Sequence, residues 1–303
     1  MINRTQIWSS GGGVQSTAIA VLIVQGKLPK PDLAIISDTE RELSTTWAYM
    51  DEVTAPALAS VGVTLHRVKK SKYATVDLYG GADGNSLLIP AFTTQGENIG
   101  KLPGFCSNEW KLRVVQRWAN AEHGVEAATL WMGISTDEPQ RASVSLGKWE
   151  KRYPLIELNR SRADCLQIVA DMGWPEPPRS SCWMCPNHRE GEWLWQEIAA
   201  PADHRKAIVF DREIRKRDPH AWLHPSAEPL GGVKFDAENE VMFGKSCQTG
   251  LCFVYMRPWR AANKKLVAQQ NLRYRQKHKA EINEKRRAKA YEQSRSGVAA
   301  KTP

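Results

Sequence analysis

Apolar runs separated by short polar connections set the rhythm of the first half of the chain. Residues 5–9 predict a short strand, and residues 14–25 a helix rich in Ala, Val, Leu and Ile. Residues 32–37 (DLAIIS) predict a second buried strand, residues 44–60 a helix, and residues 61–68, which alternate apolar and polar, a third strand. Strands alternating with helices over short connections form a parallel sheet covered on both faces. Residues 80–104 are Gly/Pro-rich and read as a loop over a site, residues 109–122 as a helix, and residues 127–134 (AATLWMGI) as a fourth core strand.

Beyond Tyr153 the rhythm changes. Residues 161–172 predict a helix, with Ser161 as its N-cap and Gly173 as its stop. A stiff Pro-containing connector, 175–178, leads into Cys182 and Cys185, and short helices are expected over 190–200 and 204–217. A Trp- and Gly-rich stretch reaches Pro258. Residues 261–294 read as one long helix with few apolar positions, and residues 296–303 as disordered. The expected organisation is a nucleotide-binding domain over 1–160, a Cys-containing helical or irregular region over 161–258, and a basic helical tail over 259–303.

Composition narrows the class. Hydrophobic residues make up 42% and charged residues 25% of 303, which excludes disorder of the whole chain. The apolar run 18–24 is shorter than the ~20 residues a membrane span needs, and it lacks the flanks of a signal peptide. The expectation is a cytoplasmic protein with no membrane partner. The net charge of +9 is unevenly held: residues 257–303 contain 14 Lys/Arg against 3 Glu, a local +11, so the remainder carries −2. The tail is therefore the part suited to a polynucleotide backbone, tRNA or DNA, with Trp259, Tyr274 and Tyr291 interspersed; the alternative is a solvated helix packed by one thin apolar stripe.

Candidate chemistry begins at Ser9-Ser10-Gly11-Gly12-Gly13-Val14-Gln15-Ser16-Thr17, between a strand and a helix. Glycines let the backbone turn sharply and offer consecutive N–H groups to an anion, and the helix adds its positive end. Ser16 and Thr17 can add hydroxyl donors; the alternative is a tight turn without a ligand. The absence of a Gly-Lys-Ser/Thr ending excludes a Walker loop. Six cysteines stand at 106, 165, 182, 185, 247 and 252. In a reducing compartment they suit metal, cluster or redox work better than disulfides. Cys182 and Cys185 form a C-x-x-C pair; Cys106 and either Cys165 or Cys252 can complete four ligands for Zn²⁺ or an iron–sulfur cluster. Buried inert thiols are the alternative.

Five segments together resemble the PP-loop nucleotide α-hydrolases, in their phosphoadenosine-phosphosulfate (PAPS) reductase-like branch. Residues 11–16 are similar to Ser-Gly-Gly-x-Asp-Ser, with Gly11 in place of the first Ser and Gln15 in place of the Asp. Ser37-Asp38-Thr39-Glu40-Arg41-Glu42 resembles the Asp-Thr-Gly segment, and Cys106-Ser107-Asn108-Glu109-Trp110-Lys111 the Cys-Thr-x-x-x-Lys segment. Gly133-Ile134-Ser135-Thr136-Asp137-Glu138-Pro139-Gln140-Arg141 resembles Gly-Ile-Arg-x-Asp-Glu-Ser-x-x-Arg. Tyr153-Pro154-Leu155 and Cys182-Trp183-Met184-Cys185-Pro186 resemble the C-terminal elements of that branch. The likeness covers residues 5–190 and leaves out the tail.

The resemblance implies a three-layer α/β sandwich with a mainly parallel, flavodoxin-like sheet. It implies that Ser10, Gly11, Gly12, Gly13, Gln15, Ser16, Thr17, Asp38, Thr39 and Gly133 hold ATP or a related adenine nucleotide with Mg²⁺. Cys106, Lys111, Asp137 and Arg141 are its candidate catalytic residues. Lys111 and Arg141 are either phosphate-neutralising or solvated cations; Asp137 and Glu138 either hold the metal or pair with Arg141. The implied activity is cleavage at the α-phosphate with pyrophosphate release, in sulfur-related modification of a nucleobase or nucleic acid. Two other readings stay open. One is a reductase of PAPS or adenylylsulfate, although no Glu-Cys-Gly-Leu-His motif is present. The other is a metal-stabilised nucleic-acid-binding protein with a degenerate nucleotide pocket.

Overall fold

A computed structural model describes residues 4–235, apart from residue 83, residues 96–97 and residues 144–146. Cys247, Cys252, the expected tail helix and the expected disordered end lie outside the described residues. The chain parts into two compact units, Met1–Ser246 and Cys247–Pro303, and every described residue belongs to the first.

The first unit is organised around five parallel strands. β1 (Thr5–Ser10) leads through α1 (Val14–Val24) to β2 (Leu33–Asp38). α2 (Ser44–Tyr49), a π-helical turn (Met50–Thr54) and α3 (Ala55–Ser60) form one interrupted helix before β3 (Leu65–Lys69). Two short antiparallel hairpins follow: β4 (Tyr79–Gly80) with β5 (Ser86–Leu87), and β6 (Phe92–Gln95) with β7 (Asn98–Lys101). After α4 (Arg113–His123) come β8 (Ala128–Met132) and β9 (Trp149–Arg152). α5 (Pro154–Glu157), α6 (Arg162–Asp171), α7 (Glu190–Ala199) and α8 (Pro201–Arg217) complete the helices, and β10 (Ala221–Trp222) pairs with β6.

The large sheet has the order β3-β2-β1-β8-β9, parallel throughout. Counting parallel strands along the chain, this is 3-2-1-4-5 rather than the flavodoxin order 2-1-3-4-5. The α/β layering expected from the sequence stands, but the flavodoxin-like order does not. β3 adds outside β2, and the chain then crosses back to place β8 on the far side of β1. The strand–helix rhythm is the same in both orders, so it does not distinguish them.

Side chains alternate between two cores. Trp8, Ala34 and Trp131 face α1, α3 and α6, whereas Ile7, Ile35, Val68 and Leu130 face Val114, Val115 and Trp118 of α4. α1 is apolar all round because it is covered all round: Ala18 to Ile23 are each 5% exposed or less, with Cys165 and Val169 of α6 packed over them. Ser161 caps α6 through a capping box with Asp164, and Gly173 stands at φ +75° just beyond its end, as the sequence predicts.

Two expectations are corrected, and one strand is missed by the sequence. Residues 61–64 do not join β3, because Gly62 turns the chain at φ +77°. The 80–104 segment holds small strands rather than a plain loop. β9, whose four residues are polar or half-buried, carries no apolar run and escapes a hydrophobicity reading.

Candidate functional site

The parallel sheet puts the carboxyl ends of all five strands on one edge. Its order reverses between β1 and β8, which is where open α/β sheets bind ligands. The glycine loop follows β1 at that point, and Gly133 follows β8. A Cβ on Gly133 would stand 3.1 Å from Ser16 Oγ and 3.2 Å from its amide nitrogen, so the two strand ends meet backbone to backbone. Gly12 turns at φ +72°, and a Cβ there would come within 2.9 Å of Thr46 Cγ2. Only glycine suits both demands.

Side chains shape this loop rather than face a ligand. Gly11 N donates to Ser16 Oγ at 2.8 Å, and Gly12 N to Ser10 Oγ at 3.2 Å. Thr17 is fully buried and its hydroxyl donates back to the Gly13 carbonyl at 3.1 Å. Gly13 caps α1 with no side-chain hydrogen bond and no acidic residue follows in the first turn, so the first-turn amides stay available to an anion. Gln15 Oε1 accepts from Arg162 Nη1 at 3.0 Å, which gives its neutral side chain a structural partner.

Asp38 and Thr39 are engaged inside the protein. Asp38 Oδ2 accepts from Arg67 Nε at 2.9 Å and Oδ1 from the Glu40 amide at 2.7 Å, so each oxygen has one partner inside the protein. Thr39 Oγ1 accepts from the Arg41 amide and touches Cys182 Sγ at 3.3 Å. Glu40 stands where the resembled motif has Gly, and it adopts φ +58°, a glycine-like conformation held by two contacts of its carboxylate with Ser71 at 3.1 Å.

The C-x-x-C segment reaches the loop through tertiary contacts. Residues 180–183 lie antiparallel along residues 41–43: Leu43 N donates to Ser181 O at 3.0 Å, Trp183 N to Arg41 O at 2.7 Å, and Glu42 bridges Cys182. Ser180 Oγ donates to the Gly11 carbonyl and lies 2.7 Å from Glu42 Oε1. Glu42 Oε2 is 3.6 Å from Lys111 Nζ. That neighbour raises the Lys111 pKa, and the fields of Cys182, Cys185 and Cys106 act in the same direction. Burial pushes the Cys182 thiol up to about 12 and raises Cys106 and Cys185 as well. Glu42 and Ser180 escape a reading of the sequence, since nothing local ties position 42 to position 180.

The metal expectation is corrected at one ligand, Cys165. Cys165 is fully buried among Ala18, Ile19 and Val169, in a different core from Cys106 and Cys182, and burial pushes its thiol up to about 12. Cys252 lies outside the described residues. Among the described residues no group of three or more His, Cys, Asp or Glu is arranged to hold a metal ion. Cys165 therefore does not belong to a ligand set with Cys106 and Cys182, and the set completed by Cys252 lies outside the described residues. Asp137 Oδ2 accepts from the Arg162 amide and from Ser135 Oγ at 3.3 Å, so it is tied to the start of α6. Arg141, with 60% of its side chain exposed, pairs with Glu138 at 2.6 Å rather than with Asp137 or the loop.

Comparison with protein-family models finds no match, and neither does comparison with curated proteins. Among solved structures, phosphoadenylyl-sulfate (PAPS) reductase from Candida auris, in a phosphate complex, is similar over 60% of this chain and 83% of its own, at 17% identity and a TM-score of 0.38. That likeness is distant. No described helix is long and apolar enough to cross a membrane.

Proposed function

We propose that this chain is a PP-loop enzyme that binds ATP or a related adenine nucleotide and acts at its α-phosphate, releasing pyrophosphate and adenylating an acceptor. The observation that carries the reading is the uncapped first turn of α1, following a glycine loop at the sheet's switch point and closed against Gly133. The ordered motif resemblance supports it independently. In this reading the α1 amides bind and orient the phosphates, and Lys111 offsets developing negative charge from the thiol side. Ser180 and Glu42 hold the thiol segment beside the phosphate loop. A nucleobase in tRNA or DNA is the acceptor we favour, with the basic tail as docking element; a sulfide-level sulfur donor would then displace AMP from the adenylated carbon.

A reductase of PAPS or adenylylsulfate is the second reading, favoured by the thiols gathered near the loop. Their raised pKa values count against it, because the thiolate is the nucleophile and burial keeps these groups protonated. Incubating the pure protein with ATP and Mg²⁺, with and without tRNA or DNA, separates the readings. Acceptor-dependent pyrophosphate supports adenylation. Sulfite from PAPS and a dithiol, without pyrophosphate, makes the protein a reductase. Polynucleotide binding with no turnover of either nucleotide leaves a non-enzymatic binder.

A further inference from the structure

The phosphate loop explains how a nucleotide's charged end is held, but it leaves the base without a seat. Asp38 is a poor seat, since its side chain is 4% exposed and its oxygens are turned to Arg67 and the Glu40 amide. What those bonds accomplish is to fix Arg67. Its Nε is tied to an Asp38 carboxylate whose side chain is 4% exposed, and its guanidinium carbon stands 3.4 Å from the centroid of the Trp47 ring. A guanidinium this close to an indole centroid lies on its face. Arg67 nevertheless keeps 43% of its side chain exposed, and its Nη groups meet no partner among the described residues.

We propose that this held guanidinium is the platform on which the base of the bound nucleotide stacks. The inference rests on the nucleotide-binding reading above and deepens it. Three features point to a base rather than to a phosphate. Asp38 already neutralises the arginine charge at short range, which lowers its value as an anion clamp. The indole below keeps the guanidinium plane from turning edge-on, and a fixed, flat, half-exposed guanidinium is a surface on which nucleobases stack.

The position also follows from the sheet. Arg67 pairs in register with Ile36, so both side chains leave the sheet on the face covered by α2. A Cβ on Gly12 would lie 3.2 Å from Ile36 Cδ1 and 2.9 Å from Thr46 Cγ2. The phosphate loop therefore abuts the strand partner of Arg67 and the chain neighbour of Trp47. β1 and β3 are two strand spacings apart, about 10 Å, and ribose and base would cross that interval over β2. Stacking accepts every base, so the platform supplies affinity without choosing adenine.

The test compares ATP with tripolyphosphate, a probe that has phosphates and no base, by calorimetry on the full-length protein. Arg67→Lys keeps a cation beside Asp38 and removes the flat face. It should weaken ATP about tenfold while leaving tripolyphosphate unchanged, because only the base loses the flat cationic face on which it stacks. GTP should weaken alongside ATP. Trp47→Leu, which keeps the Arg67–Asp38 pair and removes its support, should move ATP in the same direction by less. ATP affinity unchanged in both variants, or equal loss of ATP and tripolyphosphate, overturns the platform while nucleotide binding stands. If the unaltered protein binds neither ligand, nucleotide binding itself has failed and the platform falls with it.

Discussion

The phosphate-loop region and the thiol-bearing region lie side by side and are built on opposite principles. The loop is local: Ser10, Gly12 and Ser16 shape one another within seven residues and leave the first-turn amides of α1 open. The thiol region is assembled from residues 39, 42, 106, 111, 180, 182 and 185, and burial holds its thiols and the nearby His188 neutral. Cys182 is pushed up to about 12, and His188 down to about 3 with its Nδ1 unpartnered. Trp193 Nε1, Gln196 Oε1 and His204 Nδ1 are further buried polar atoms there without partners among the described residues. One region presents charge-binding groups to its surroundings, whereas the other suppresses the charge of its thiols and imidazoles. An anion is thus expected at the loop and a proton-linked response at the thiol side.

Acid should separate the two most strongly. His188 has a folded pKa of about 3 against an ordinary 6.5, so its contribution to stability is complete above the unfolded value and is lost as pH falls below it. Unfolding free energy should drop by about 1.4 kcal/mol per pH unit below 6.5, or about 2 kcal/mol by pH 5. Urea titrations at pH 7 and pH 5 measure this, and His188→Gln should flatten the slope. An equally steep slope in that variant would place the proton uptake elsewhere.

The loop should respond to charge instead. Gly12→Asp adds a Cβ where φ is +72° and Thr46 stands 2.9 Å away, and sets a carboxylate where phosphates approach. Nucleotide affinity should fall at least ~10-fold, about 1.4 kcal/mol. Calorimetry on a folded variant with undiminished ATP binding would end the loop assignment.

Glu40 sharpens the comparison at the seam, since it leads from β2 into the segment the thiols pack on. A left-handed residue with a Cβ costs roughly 1–2 kcal/mol, and Gly loses about 0.5–1 kcal/mol in entropy. Glu40→Gly should therefore be more stable than Glu40→Ala by about 1 kcal/mol, both having lost the Ser71 contacts. Equal thermal midpoints would show the backbone to be unstrained.

The smallest effect on nucleotide affinity, namely none, is expected from the tail. Replacing Lys285, Arg286, Arg287 and Lys289 with Gln removes four of the 14 basic residues beyond position 256. If these meet phosphates, the salt slope of tRNA or DNA binding should flatten by about one unit per lost contact. An unchanged slope with intact binding would remove the tail as docking element.

Sequence by itself determined the layered α/β class, the loop and the helix stops, because each depends on residues close along the chain. Residues 14–24 are dominated by apolar side chains and can only be buried, and three glycines before them admit the positive-φ backbone that a sharp turn needs. The α6 cap is likewise written within four residues, by Ser161 and Asp164.

Only the tertiary structure decided which strands are neighbours and what lies beside the loop. The order 3-2-1-4-5 and the edge strand β9 depend on pairings that no local pattern encodes. The motif positions Asp38, Thr39 and Arg141 were legible as residues, but their hydrogen bonds turn inward or to a neighbour, and the motif does not carry that information. Cys165 and Cys182 look alike along the chain, yet α6 carries one into the α1 core while the strand-like segment 180–183 carries the other to Thr39 and Glu42. Glu42, Ser180 and Arg67 became visible only through contacts spanning 138, 169 and 29 positions. The physical reason is the same in each case. Backbone conformation is set by near neighbours, whereas the surroundings of a side chain are set by whichever distant segments the packing of the two cores brings against it.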